Sequence, residues 1–81
     1  MNTVFEKHKI IVIMAGGEGK RMKSSLPKVL HKVDNIPMIV KILHEALMVS
    51  PRKIFIIVGK HRMLIEHAIN EHINSDIIEY V

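Results

Sequence analysis

From Met14 to Lys32 the chain reads MAGGEGKRMKSSLPKVLHK. Gly16, Gly17 and Gly19, three of the four glycines in the chain, stand at its start. Five cations follow from Lys20 to Lys32 with no Asp or Glu among them: Lys20, Arg21, Lys23, Lys28 and Lys32. Glycines let backbone N–H groups approach an anion with no Cβ in the way. Arginine adds a bidentate fork and lysine a point charge. Residues of these types at this spacing suit the binding of phosphate groups. A solvated basic face is the plainer reading, but it does not require the glycines. Nucleic acid is a third reading. It is disfavoured because Phe5, Phe55 and Tyr80 are the only aromatic residues, and none lies in the cluster to stack on a base.

Two common phosphate loops are excluded by spacing. The P-loop requires a glycine five positions before Gly19, where Met14 stands, and a Ser or Thr after Lys20, where Arg21 stands. The dinucleotide fingerprint begins at Gly17 and Gly19 but would place its third glycine at Met22.

The loop must be held by regular structure. Ile10 to Met14 is a continuous apolar run rich in β-branched residues, which predicts a buried strand covered on both faces. Lys20 to Ser24 has a short helical tendency that Pro27 interrupts. Asp34 and Asn35 are turn residues, and Pro37 suits the first turn of a helix. Met38, Ile39, Ile42, Leu43, Ala46 and Leu47 then recur at helical spacing up to Ser50-Pro51, predicting a helix over 37–49. A second strand is predicted over 54–58, ending at Gly59. A second helix is predicted over 62–73, with Leu64, Ile65, Ala68, Ile69 and Ile73 on one face. A third strand is predicted over 77–81.

The order is β-α-β-α-β, an α/β fold with a parallel sheet in the order 3-2-1 and right-handed crossovers, a partial Rossmann-like unit. Ligands of such sheets bind beyond the carboxyl ends of the strands, where the glycine loop stands. Gly59 reads as a strand-to-helix turn, His31 as a packed, hydrogen-bonded residue, and the methionines as aliphatic core filler. His67 and His72 lie five apart, on different faces of a helix, which argues against a zinc pair.

The 81 residues make one domain, 48% hydrophobic and 25% charged, with net charge +4 and no cysteine. There is therefore no disulfide framework and no thiolate metal site. Apolar runs fall far short of the roughly 20 residues needed to cross a bilayer. The polar start of the chain does not resemble a secretory leader. These features predict a soluble, cytoplasmic protein.

Met14 to Met22, Ser24 to Lys28, Leu30-His31 and Pro37-Met38 together resemble the N-terminal signature of sugar-phosphate nucleotidyltransferases. The resemblance is nearest to the catalytic domains of N-acetylglucosamine-1-phosphate uridylyltransferase type. It implies a fold of GT-A type and a nucleoside triphosphate ligand, with UTP favoured. Met14, Ala15, Gly16 and Gly17 would cradle base and ribose through their backbone. Gly19 and Lys20 would continue the nucleotide loop, and Arg21 and Lys28 would grip the phosphates as the catalytic cations. Pro27 restricts the backbone before Lys28. Lys20 stands where the family has threonine.

The chemistry so implied is attack by a sugar-1-phosphate oxygen on the α-phosphorus of the triphosphate, with release of pyrophosphate. That reaction needs positioning and cations rather than covalent help. Magnesium is implied as cofactor, with its aspartate ligand and most of the sugar-phosphate pocket beyond residues 1–81, which would form a single, incomplete domain. No metal ligand is assigned within the chain. The resemblance also implies a further strand beside the first. Without it Ile10 to Met14 would be an open edge, so a homo-oligomer or a complementing chain is expected. Two readings of function stay open: a nucleotidyltransferase, and a non-catalytic module that binds a nucleotide or a partner.

Overall fold

A computed structural model of the chain describes residues 9–16 and 26–81. Strand β1 spans Ile10–Met14. A single 3-10 turn at Lys28–Leu30 precedes a small antiparallel hairpin of β2, Lys32–Val33, and β3, Ile36–Pro37. Helix α1 is Met38–Met48 and β4 is Lys53–Ile57. A 3-10 turn at Gly59–His61 leads into α2, Arg62–Asn70, and β5 is Ile78–Tyr80.

The main sheet is parallel, in the order β1-β4-β5. That is the predicted topology, with β4 in the centre. Its register pairs Ile10 with Lys53 and Met14 with Ile57, and then Phe55 with Glu79. The sheet steps in one direction from β1 to β5, so two right-handed crossovers place both helices on the same face. Burial alternates accordingly. Ile11, Ile13, Ile54 and Ile56 are fully buried and share one core with Ile39, Val40 and Leu43 of α1 and Ile65 and Ile69 of α2. Ile10, Val12, Met14, Phe55 and Ile57 point the other way and are half-buried or exposed. A Lys53–Glu79 ion pair at 3.5 Å lies on that second face. The expectation of cover on both faces is therefore corrected: among the described residues, helices cover one.

Several ends differ from the sequence expectation. α2 stops at Asn70, and the amides of His72 and Ile73 both donate to the Ile69 carbonyl, at 3.0 and 2.8 Å. This closing turn still buries Ile73. Leu64, placed on the apolar stripe, is exposed, while Val40 is wholly buried. Met14, Met48 and Met63 are exposed rather than core filler, since each sits at or near an element end that nothing in the described chain overlies. Asp34 and Asn35 do more than end a segment. Both take left-handed φ, 54° and 65°, which two-residue hairpin turns of right-handed twist require. α1 ends as Ser50 takes a φ of 52° and its amide donates to the Leu47 carbonyl at 3.1 Å.

Candidate functional site at the carboxyl edge of the sheet

β1 and β4 both end at the same edge of the sheet. The ladder between them is extended by one bond, from the Ala15 amide to the Ile57 carbonyl at 2.8 Å. Ala15 is buried, so the chain leaves the sheet from a fixed point. Beyond it Gly16 lies against the end of β4. A Cβ on Gly16 would stand 3.3 Å from both the Gly59 nitrogen and the Val58 carbonyl carbon. Only a glycine lets the two backbones meet this closely without displacement. Gly59 has a φ of +61°, the left-handed conformation that turns the chain from β4 towards α2.

The segment that carries Lys28 lies in the chain between β1 and α1. Pro27 is buried with a ψ of 144°, and its carbonyl accepts from the Leu30 amide at 2.9 Å. The His31 amide donates to the Lys28 carbonyl at 3.2 Å, closing the turn. Val29 and Leu30 anchor it in the core. The His31 ring lies 3.3 Å from the Leu26 carbonyl oxygen, and the His31 carbonyl accepts from the first amide of α1, on Met38, at 3.0 Å. These bonds hold the backbone of Lys28 firmly while the residue itself remains exposed.

Of the residues proposed from sequence, Met14, Ala15, Gly16 and Lys28 lie among the described residues. The first three run consecutively off β1, and Lys28 sits on the anchored turn. Gly17, Gly19, Lys20 and Arg21 lie outside the described residues, as does the short helix expected over Lys20 to Ser24. The structure adds Gly59 to the edge, against Gly16. The signal for it was in the sequence, a second β-branched run ending in glycine, but spacing alone did not pair the two glycines.

Polar and charged side chains also meet along the helices. Lys41 Nζ is 3.3 Å from Asp34 Oδ2, Arg62 Nε is 3.4 Å from Glu66 Oε1, and His67 Nε2 is 3.4 Å from Glu71 Oε1. The Arg62 guanidinium also lies over the Tyr80 ring, 6.0 Å from its centroid. Among the described residues no group of three or more His, Cys, Asp or Glu side chains could hold a metal ion. Nor is any helix among them long and apolar enough to cross a membrane.

A family model, that of the MobA-like NTP transferase domain, matches residues 11–76. The chain belongs to this family. Its match runs from the second residue of β1 to the approach to β5, taking in the glycine edge and the Lys28 turn. Over 75 residues this MobA-like domain is 48% identical to a probable UDP-N-acetylglucosamine pyrophosphorylase of Acanthamoeba polyphaga mimivirus, covering 91% of the chain and 29% of that protein. Over 67 residues it is 36% identical to the bifunctional protein GlmU of Synechococcus sp. (strain JA-3-3Ab), covering 83% of the chain and 11% of that protein. Over 59 residues it is 46% identical to the GlmU of Cupriavidus metallidurans, covering 73% and 13%. The MobA-like domain here thus spans less than a third of the length of these relatives.

Proposed function

We propose that the chain binds a nucleoside triphosphate, UTP first, at the carboxyl edge of its sheet, and that its place is in nucleotidyl transfer to a sugar 1-phosphate with release of pyrophosphate. One observation supports the reading: the backbone of Ala15 and Gly16 lies beside the Gly59 turn at the carboxyl edge, where sheets of this type bind ligands, and the anchored Lys28 turn follows in the chain before α1. The pyrophosphorylase relative, by its name, favours a uridine nucleotide and N-acetylglucosamine 1-phosphate. In this reading the backbone of Met14 to Gly17 receives base and ribose. Gly19 and Lys20 continue the loop, and Arg21 and Lys28 are the catalytic cations that take the phosphates.

Arg21 and Lys28 would stabilise charge that builds on the phosphate oxygens during in-line transfer. Magnesium, which would accompany the triphosphate, supplies further charge neutralisation when bound. Binding is the property proposed for these 81 residues by themselves. Turnover is proposed for the longer arrangement seen in the relatives, and a non-catalytic nucleotide-binding module is the second reading. The outer edge of β1, whose described neighbour is β4 alone, is where a second copy or a complementing chain would pair.

Calorimetry with UTP tests the reading. Arg21→Ala and Lys28→Ala should each weaken binding, since each removes a charge-assisted contact of about 1.5–3 kcal/mol. Unchanged affinity in both variants, or tighter binding of duplex DNA than of any nucleotide at physiological salt, contradicts it.

A further inference from the structure

We infer that Gly59 is a positioning residue for the nucleotide site and acts through Gly16. The inference rests on the nucleotide-binding reading above and names a determinant of affinity that lies 43 residues further along the chain from Gly16. β4 is the central strand, paired on both sides, and Ile54, Ile56 and Val58 are buried along it. Its end is therefore the most fixed point on the carboxyl edge. The last bond of the β1–β4 ladder is made by Ala15. Beyond that bond, Gly16 lies close against the backbone of Val58 and Gly59, near enough that a Cβ on it would crowd them.

The two glycines are needed for different reasons. Gly16 is limited by space, since a Cβ there meets backbone atoms at 3.3 Å. Gly59 is limited by conformation. A Cβ on it would meet the Gly16 Cα at 3.5 Å and the Gly16 oxygen at 3.6 Å, which is ordinary contact, but its φ of +61° is one that β-branched residues do not adopt. Asparagine tolerates that conformation. Gly59→Asn therefore keeps the end of β4 in place, while Gly59→Val forces the turn to another φ and moves the surface on which Gly16 rests. A residue that only joined a strand to a helix would affect stability and leave the affinity of the folded molecule alone.

The test is calorimetry on the 81-residue chain with UTP and with UMP, at a temperature where circular dichroism shows each variant folded. Gly59→Val and Gly16→Ala should each weaken both ligands by about tenfold, since even small misplacement of a binding backbone is costly. The loss should be equal for UTP and UMP because the displaced backbone faces base and ribose, whereas Lys28→Ala should weaken UTP more than UMP. Gly59→Asn should stay within about twofold of the wild type, because asparagine accepts the left-handed turn. The double variant Gly16→Ala/Gly59→Val should be no weaker than the worse single, because both break one contact. Wild-type affinity in folded Gly59→Val overturns the inference and leaves the binding reading standing. If Gly59→Val does not fold, wild-type affinity in Gly16→Ala overturns it instead. A wild-type chain that binds neither nucleotide overturns both.

Discussion

On the helix-covered face of the sheet, Ile11, Ile13, Ile54 and Ile56 have no exposure to solvent. At the carboxyl edge of the same two strands, Met14 is half exposed and Gly16 and Gly59 lie close together, while Lys28, on the turn that follows in the chain, is exposed. The first region is filled by β-branched and aliphatic side chains, and the second turns on two glycines whose backbones lie close together. The contrast separates two tasks. Burial of the isoleucines holds β1 against β4, and in the proposed reading Gly16 and Gly59 use that fixed geometry to place the backbone that receives the nucleotide. Stability and binding should therefore respond to different substitutions.

The largest effect is expected in the core. Ile56→Ala should cost about 2–5 kcal/mol of folding stability, measured by urea denaturation, because Ile56 is wholly buried in the core on the central strand. The milder Ile56→Val, which costs about 0.5–1.5 kcal/mol, keeps the chain folded for an affinity measurement. Its affinity for UTP should match the wild type. A parallel loss of stability and affinity in Ile56→Val would break the separation. Lys28→Ala sharpens the same contrast from the other side. Its denaturation midpoint should be nearly unmoved, within about 0.5 kcal/mol as for most exposed positions, while UTP binding falls.

The smallest effect concerns Tyr80, where the helix-covered core meets the carboxyl edge. Burial pushes its phenol above the ordinary value of 10.0, the Glu66 carboxylate adds to the rise, and the Arg62 guanidinium opposes it. The folded chain therefore holds the phenolic proton more tightly than the unfolded chain does. The associated stability is fully present below the ordinary value and is lost as pH rises through the raised one. Tyr80 is the single tyrosine, so phenolate absorbance of folded and urea-unfolded chain reports it directly. Coincident titration curves in the two states would contradict this account of its surroundings.

The topology was legible because the periodicities are strong. Two continuous apolar runs and two helical stripes gave the parallel order and most element bounds to within a residue or two. The asymmetry of the sheet was less legible. A continuous apolar run such as Ile10 to Met14 has the same appearance whether one face or both are covered by helices, and only the direction of the two crossovers decides it. The hairpin around Asp34 and Asn35 was visible as a turn but not as strands, because two-residue strands carry no period. At the site, residue type pointed to the glycines as a phosphate loop, and the family resemblance rather than spacing singled out Lys28. The meeting of Gly16 with Gly59 could not, since it depends on β1 and β4 being neighbours in register, a tertiary fact.

The central claim is that a nucleoside triphosphate binds at the carboxyl edge. Chemical-shift mapping of the isotope-labelled chain during titration with UTP tests it most directly, because each backbone amide reports separately. The largest shifts should fall on Ala15, Gly16, Lys28 and Gly59 to His61. Residues of the opposite edge, Ser50 to Lys53 and Asp76 to Ile78, should stay in place. Saturable shifts confined to that opposite edge, or no shifts at all at millimolar UTP, would contradict the account.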